Sequence, residues 1–261
     1  MMPVIFIGHG SPMNAIEENE YTKGWKEIAD YIPKPKVILS ISAHWVTDGT
    51  KVSTVENPKT IHDFYGFPKE LYDVEYKAKG SLESAVKTIE LLDGIARADD
   101  SWGLDHGTWS VLRVMYPNAD IPVYQMSIDM NATPKELFEI GKKLKSLRES
   151  DILILGSGNI VHNLGVMDYS MEDGFDLAIE FNDYITEKIE QRDFESIFNY
   201  KQLGNAARLS VPTTEHFNPL LYVLGATTDL DKVTIFNKSF MAGSLAMTSF
   251  VFSENEKKPK N

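Results

Sequence analysis

Three apolar runs of strand length, each finishing beside a histidine, constrain the fold of this chain more than any other feature. The first is Val4-Ile5-Phe6-Ile7, closed by Gly8-His9-Gly10-Ser11-Pro12. The second, Ile38-Leu39-Ser40-Ile41-Ser42-Ala43, is closed by His44-Trp45. The third, Ile152-Leu153-Ile154-Leu155, runs into Gly156-Ser157-Gly158-Asn159, with His162 just beyond. Runs apolar at consecutive positions have no solvent face, so they suit strands covered on both sides, as in a parallel sheet.

The segments between them carry helical spacing. Trp25, Ile28, Ala29 and Ile32 share one face of residues 20–32, and Pro33 and Pro35 close that helix. Leu82, Ala85, Val86, Ile89 and Leu92 do the same from Gly80 to about residue 94. Thr133-Pro134-Lys135-Glu136 places a capping hydroxyl before a proline at the first helical position, opening a helix to about residue 148. A long helix is expected over 175–192, a short one or a turn over 194–201, and another at 220–224. Further strands are expected at 51–55, 122–128, 232–236 and 249–252, with the second histidine-bearing strand ending at 43. Strands alternating with helices predict an α/β fold, a three-layer α/β/α sandwich around a mostly parallel, mixed sheet. Sites in such sheets form outside the carboxyl ends of strands. His9, His44 and His162 are all placed there.

The 261 residues fit one catalytic domain, 1–261, with 253–261 expected as a frayed tail. Charges of 26 and −38 sum to −12. That balance argues against nucleic acid and against anionic membrane surfaces as partners. No apolar run approaches the roughly 18 residues of a membrane span, and no signal peptide opens the chain, so a cytoplasmic protein is expected. No cysteine is present, which removes disulfides, thiolate nucleophiles and cysteine-based metal sites together. Any metal ligands must be histidines and carboxylates.

The six histidines are His9, His44, His62, His106, His162 and His216, and all fall in predicted loops or at element ends. A lone loop histidine is usually solvated or hydrogen-bonded; six so placed point toward metal or acid–base chemistry. The spacing is long-range, and no H-E-x-x-H helix occurs. Other chemistries fare worse. Gly8-His9-Gly10-Ser11 lacks the lysine of a phosphate-binding loop. Gly156-Ser157-Gly158 lacks dinucleotide spacing, because residue 161 is Val. The G-x-S-x-G pattern of a serine hydrolase is absent.

Either member of Glu215-His216 can serve as a further ligand. Asp105 and His106 are adjacent, and adjacent side chains usually diverge, so their pairing is read as coincidence. Residues 56–73 form a long loop with Phe64, Tyr65, Phe67 and Tyr72. Such loops serve as site walls, though loop aromatics packed on a core would read the same way.

Gly8-His9-Gly10-Ser11-Pro12, Ser42-Ala43-His44-Trp45, Ile61-His62-Asp63-Phe64-Tyr65-Gly66-Phe67-Pro68, Leu104-Asp105-His106-Gly107, Gly156-Ser157-Gly158 with His162-Asn163-Leu164, and Glu215-His216-Phe217 occur in that order. Together they resemble the class III extradiol ring-cleavage dioxygenases, and within them the DOPA 4,5-dioxygenase-like branch, from residue 3 to about 252. The resemblance implies a non-haem Fe(II) enzyme that opens a catechol ring beside its hydroxyls using O₂, with Zn(II) able to occupy the site in isolated protein. It implies His9, His44 and His216 as metal ligands, and His162 as catalytic base or additional ligand. Glu215 would be a ligand or would hold one. His106 would face the substrate, and His62, Phe64, Tyr65 and Ser11 are pocket candidates. The implied partners are a small catechol and O₂, with no obligatory partner subunit. Two other readings stand beside it: a zinc-dependent hydrolase on a similar scaffold, and a non-catalytic metal-binding protein.

Overall fold

The computed structural model describes residues 1–254. The expected frayed tail therefore lies, from residue 255 onward, outside the described residues, whereas Ser253 closes the last strand. The strands are β1 (Val4–Gly8), β2 (Val37–Thr47), β3 (Thr50–Ser53), β4 (Ala96–Asp99), β5 (Val123–Asp129), β6 (Ile152–Gly158), β7 (Lys232–Phe236), β8 (Phe240–Met241), β9 (Leu245–Ala246) and β10 (Ser249–Ser253). Eight form one sheet in the order β4-β3-β5-β2-β6-β1-β10-β7, and β8 and β9 pair separately. Its centre, β5-β2-β6-β1, is parallel throughout. β10 and β7 add an antiparallel flank beside β1, and β3 runs antiparallel to β5 on the other side.

The nine described helices are α1 (Glu20–Tyr31), α2 (Lys69–Tyr72), α3 (Leu82–Leu91), α4 (His106–Met115), α5 (Pro134–Leu144), α6 (Asp176–Glu190), α7 (Phe194–Phe198), α8 (Asn205–Ser210) and α9 (Asn218–Gly225). None is long and apolar enough to cross a membrane. The apolar runs explain how they pack. On one face of the sheet, Ile5, Ile7, Leu153 and Leu155 meet Trp25 and Ile28 of α1 and Trp109 and Leu112 of α4. On the other, Val4, Phe6, Ile152 and Ile154 meet α5, α6 and α9 through Leu137, Phe181 and Leu221. Fully burying each such side chain contributes about 1.5–3 kcal/mol, so the doubly apolar strands define a sandwich with a core on each side. The expected three-layer architecture is the one observed.

Some boundaries differ from the sequence expectation. β2 does not stop at residue 43 but continues to Thr47, its ladder to β5 shifting register between Ile41 and Val46. His44 therefore sits inside the strand at an irregularity, a place where bulges re-aim side chains. Residues 99–110, which read in sequence as an irregular stretch, are not irregular throughout, because α4 starts within them. Asp105 caps α4 by accepting from the Thr108 N–H, which makes His106 the first helical residue. α2, β4, α8, β8 and β9 were not anticipated: each spans six residues or fewer, α2 falls inside the stretch 56–73 read as a loop, and β4 (Ala96-Arg97-Ala98-Asp99) carries no apolar run.

At the opposite end of the sheet from the histidines, the Arg148 guanidinium lies fully buried. It donates to both Asp231 oxygens at 2.7 Å, to Met2 O at 2.7 Å and to Ala226 O at 2.9 Å. All its partners are in place, as a buried charge requires.

A candidate metal centre and its cavity

His9 is the residue after β1, and its surroundings fix it in place. Gly8 passes so close to the Met247 backbone that a Cβ would lie 2.7 Å from it, and Gly10 takes φ +58°, which a side chain would disfavour. Asn14 Nδ2 donates to His9 O at 3.0 Å, and Asn159 Oδ1 accepts from Gly10 N at 3.3 Å. The ring is held as firmly. Ser157 Oγ, near the end of β6, donates to Gly107 O at 2.5 Å and lies 2.9 Å from His9 Nδ1. A hydroxyl has one proton, and the carbonyl can only accept. His9 Nδ1 must therefore be the donor toward Ser157, which leaves the Nε2 lone pair facing inward.

The same reasoning applies to its neighbours. His44 Nδ1 lies 3.3 Å from Asp63 Oδ2, and the carboxylate accepts. Its Nε2 then faces the Nε2 of His9 at 3.2 Å. Two lone pairs directed at each other repel unless a cation lies between them. Two nitrogens on one ion at about 2.0–2.1 Å stand about 3 Å apart, so the observed separation fits a shared metal.

Three more histidines surround this pair. His106, on the first turn of α4, places Nδ1 3.0 Å from Asp63 Oδ1, and its backbone N–H donates to the same oxygen at 3.0 Å. Asp63 thus serves two imidazoles at once. His216, just before α9, lies 5.2 Å from His9 and 5.0 Å from His44 between ring centroids. Its Nδ1 is 3.4 Å from Glu215 Oε1, and its carbonyl accepts from Asn159 N. His162 stacks on His216 with centroids 3.4 Å apart and planes 4° from parallel. Candidate ligand nitrogens of His9, His44 and His106 lie within 4.8 Å of one another, a grouping that can hold a metal ion.

Burial keeps His9, His44, His162 and His216 neutral. It lowers His44 to about 3, with His106 adding to the effect, and His162 to about 4. His9 and His216, 1% and 7% exposed, are also held well below the ordinary range, by burial first and then by neighbouring histidines. Neutral imidazole is the ligating form, and a cluster of them with inward lone pairs is suited to a divalent cation. For Asp63, burial works upward, but the hydrogen bond from His106 and the charges of His106 and His44 outweigh it, so the carboxyl is lowered overall. Asp105, fully buried, is raised by burial and by Asp63. It accepts from Ser42 Oγ at 2.6 Å and Gln125 Nε2 at 2.7 Å, tying α4 to β2 and β5.

The histidines open into a cavity of about 650 Å³, large enough for a single-ring ligand. His9, His44, His106, His162 and His216 line it, as do Ser11, Phe64 and Tyr65. His62 and Glu215 do not. His62 Nε2 donates to Val74 O at 3.0 Å, and its ring packs on Phe64 and Trp109 behind the wall. Glu215 accepts from Thr213 Oγ1 at 2.6 Å and otherwise faces His216. Sequence reasoning missed Asp63, Ser157 and Asn159. Asp63 lies within a motif that had been singled out, but its two imidazole contacts arise only when β2 and α4 come together. Elsewhere on the wall, Met167 and Tyr169 after β6 and Met241 and Leu245 of the small sheet carried no sequence signal, whereas Leu164 stood in the motif with His162.

Residues 3–253 match the family described as the catalytic LigB subunit of aromatic ring-opening dioxygenase. The chain is 43% identical over 254 residues to the 4,5-DOPA dioxygenase extradiol of Escherichia coli strain K12, covering 95% of this chain and 93% of that one. It is 34% identical to the 4,5-DOPA dioxygenase extradiol of Beta vulgaris, covering 95% of each. A crystal structure of an uncharacterized Escherichia coli K12 protein superposes with a TM-score of 0.85 at 39% identity, covering 97% of this chain and all of that one.

Proposed function

This chain belongs to the family of the catalytic LigB subunit of aromatic ring-opening dioxygenases, metal-dependent extradiol ring-cleaving enzymes, and from that premise we propose that it opens the ring of a DOPA-like catechol with O₂, at an Fe(II) held by His9, His44 and His216. The observation that carries this reading is the pair of inward Nε2 lone pairs 3.2 Å apart at the head of a 650 Å³ cavity. When bound, Fe(II) would supply the redox chemistry that lets electron density pass between a catechol and O₂, which Zn(II), able to fill the same ligands, would not supply.

The third ligand is argued from the partners of each ring. His9, His44 and His216 each have a distinct group at Nδ1, namely Ser157, Asp63 and Glu215. Ligating histidines commonly donate their second N–H to such a group, which orients the ring and raises its basicity. His162 cannot join His216 on one ion as the two rings stand. A ligand lone pair lies in the ring plane, and the two planes run parallel 3.4 Å apart. His216 is the ligand in our reading, and His162 is the base. Burial leaves His162 neutral at pH 7, so it can take a proton from a catechol hydroxyl and return it later. His106, its Nδ1 facing Asp63, keeps its Nε2 lone pair for the cavity and accepts from a substrate hydroxyl. Phe64 and Tyr65 offer aromatic faces to the ring. Because Glu215 holds His216, its place is behind a ligand. A second ligand set, with His106 in place of His216, is favoured by the grouping of the His9, His44 and His106 nitrogens within 4.8 Å of one another.

The test is O₂ uptake by metal-restored protein on a panel of catechols, run alongside metal titrations of His216→Ala and His106→Ala. Uptake with a yellow ring-opened product is expected, with metal binding lost in His216→Ala and retained in His106→Ala. The opposite pattern of metal loss would select the second set. No uptake on any catechol would sink the reading.

A further inference from the structure

The cavity wall carries an unusual distribution of charge. Among its lining residues are no lysine and no arginine. Its carboxylates are Asp63 and Glu17. Asp63 is spent on His44 and His106. Glu17 is different. It is exposed, so it stands on the solvent side of the cavity, and its carboxylate makes no hydrogen bond or ion pair with another described residue. The adjacent Glu18, by contrast, pairs with Lys26 at 2.9 Å. The chain leaves β1 through Ser11, turns at Pro12–Ala15 and so brings Glu17 back to the rim. Two exposed aromatics share the lining, Tyr65 at 91% and Tyr169 at 82% exposure.

We propose that Glu17 is a specificity-determining residue that selects ring substrates bearing a cationic side chain and disfavours those bearing only a carboxylate. The inference rests on the ring-cleavage reading above for the orientation of the substrate. With the hydroxyls at the histidines, the ring substituent points back toward the solvent side. There an ammonium meets Glu17, and the tyrosine faces can add cation–π attraction. A substituent carboxylate would meet a like charge and no wall cation. Because the site is partly solvated, the discrimination is modest, about fivefold, and it weakens with added salt.

The experiment uses the full chain with metal restored and three catechols that differ only at one substituent: 2-aminoethyl, ethyl and 2-carboxyethyl. Values of kcat/KM are measured for the native protein, Glu17→Gln and Glu17→Lys. Dissociation constants for the same compounds are measured in parallel without O₂. The native protein is expected to prefer the amine over the ethyl compound. Glu17→Gln should reduce that ratio about fivefold, mainly through KM, and Glu17→Lys should move the carboxylate ahead of the amine. Ratios that stay within about twofold of native in both variants would overturn the proposal. If none of the catechols is cleaved, it is the ring-cleavage reading that fails. The binding ratios then still decide whether Glu17 reads substituent charge.

Discussion

Replacing Asp63 with Asn tests the arrangement around the metal centre most sharply. The carboxylate meets His44 Nδ1 at 3.3 Å, His106 Nδ1 at 3.0 Å and the His106 backbone N–H at 3.0 Å. Asn keeps one oxygen, enough for the backbone N–H, so the turn into α4 should survive. Its NH₂ must then face an imidazole nitrogen that had been a donor. That ring is pushed to the other tautomer, with a proton on Nε2 where a lone pair is needed. A charge-assisted hydrogen bond to a buried group contributes roughly 1.5–3 kcal/mol, and with the Asp63 side chain 21% exposed the lower end applies. Loss of a group that orients a ligand typically costs 10–100-fold in metal affinity or activity, about 1.4–2.8 kcal/mol. Competitive titration against a chelator of known affinity would read the metal term, and O₂ uptake the turnover. Thermal unfolding of the metal-free variant should move by only a few degrees. Metal affinity and turnover both within twofold of native would refute the role assigned to Asp63.

Four other outcomes are expected. His162→Ala should retain metal yet lose turnover by about 10²–10⁴-fold, the range for a proton-transfer group; full activity would remove it from that role. His62→Ala should lower stability by about 1 kcal/mol through loss of the bond to Val74 O while leaving metal affinity unchanged, which separates it from the five cavity histidines. Asp231→Ala strips a fully buried guanidinium of its counter-ion and should cost roughly 3–5 kcal/mol in denaturant unfolding; a loss under about 1 kcal/mol would contradict that role. Metal-free protein should lose stability on acidification. His44 and His162 titrate near 3 and 4 when folded but near 6.5 when unfolded. The unfolded chain therefore binds more protons below pH 6.5, and stability falls by roughly 1.4 kcal/mol per pH unit for each such ring until the folded value is reached. Urea titrations at pH 7.5 and 5 would show this, and equal midpoints would count against neutral buried imidazoles.

The architecture was readable because burial leaves a direct mark on sequence. Val4 to Ile7 and Ile152 to Leu155 are apolar at every position, which only a strand covered on both faces needs, and their histidines follow at the carboxyl ends. The helix at 134 announced itself through Thr133 and Pro134. The cap of α4 was also written in the sequence, as Asp105 three residues before Thr108, but the nearby Gly107 and Trp109 obscured it. What could not be read depends on contacts far apart in the chain. Asp63 becomes a shared partner only once β2 and α4 lie side by side. His62 looks like any other loop histidine until Val74 takes its proton. The continuation of β2 through His44 hinges on a register shift with β5, and no local periodicity encodes such a shift.

The central claim is that the histidine cluster holds a metal through inward Nε2 atoms, with His9 and His44 as two of its ligands. Anomalous diffraction at the iron edge, on crystals of protein produced with iron and kept anaerobic, addresses it directly. The account predicts one peak between His9, His44 and His216, with His162 still stacked beside the last. A peak away from His9 and His44, or none in the cluster while the protein still opens a catechol ring, would contradict it.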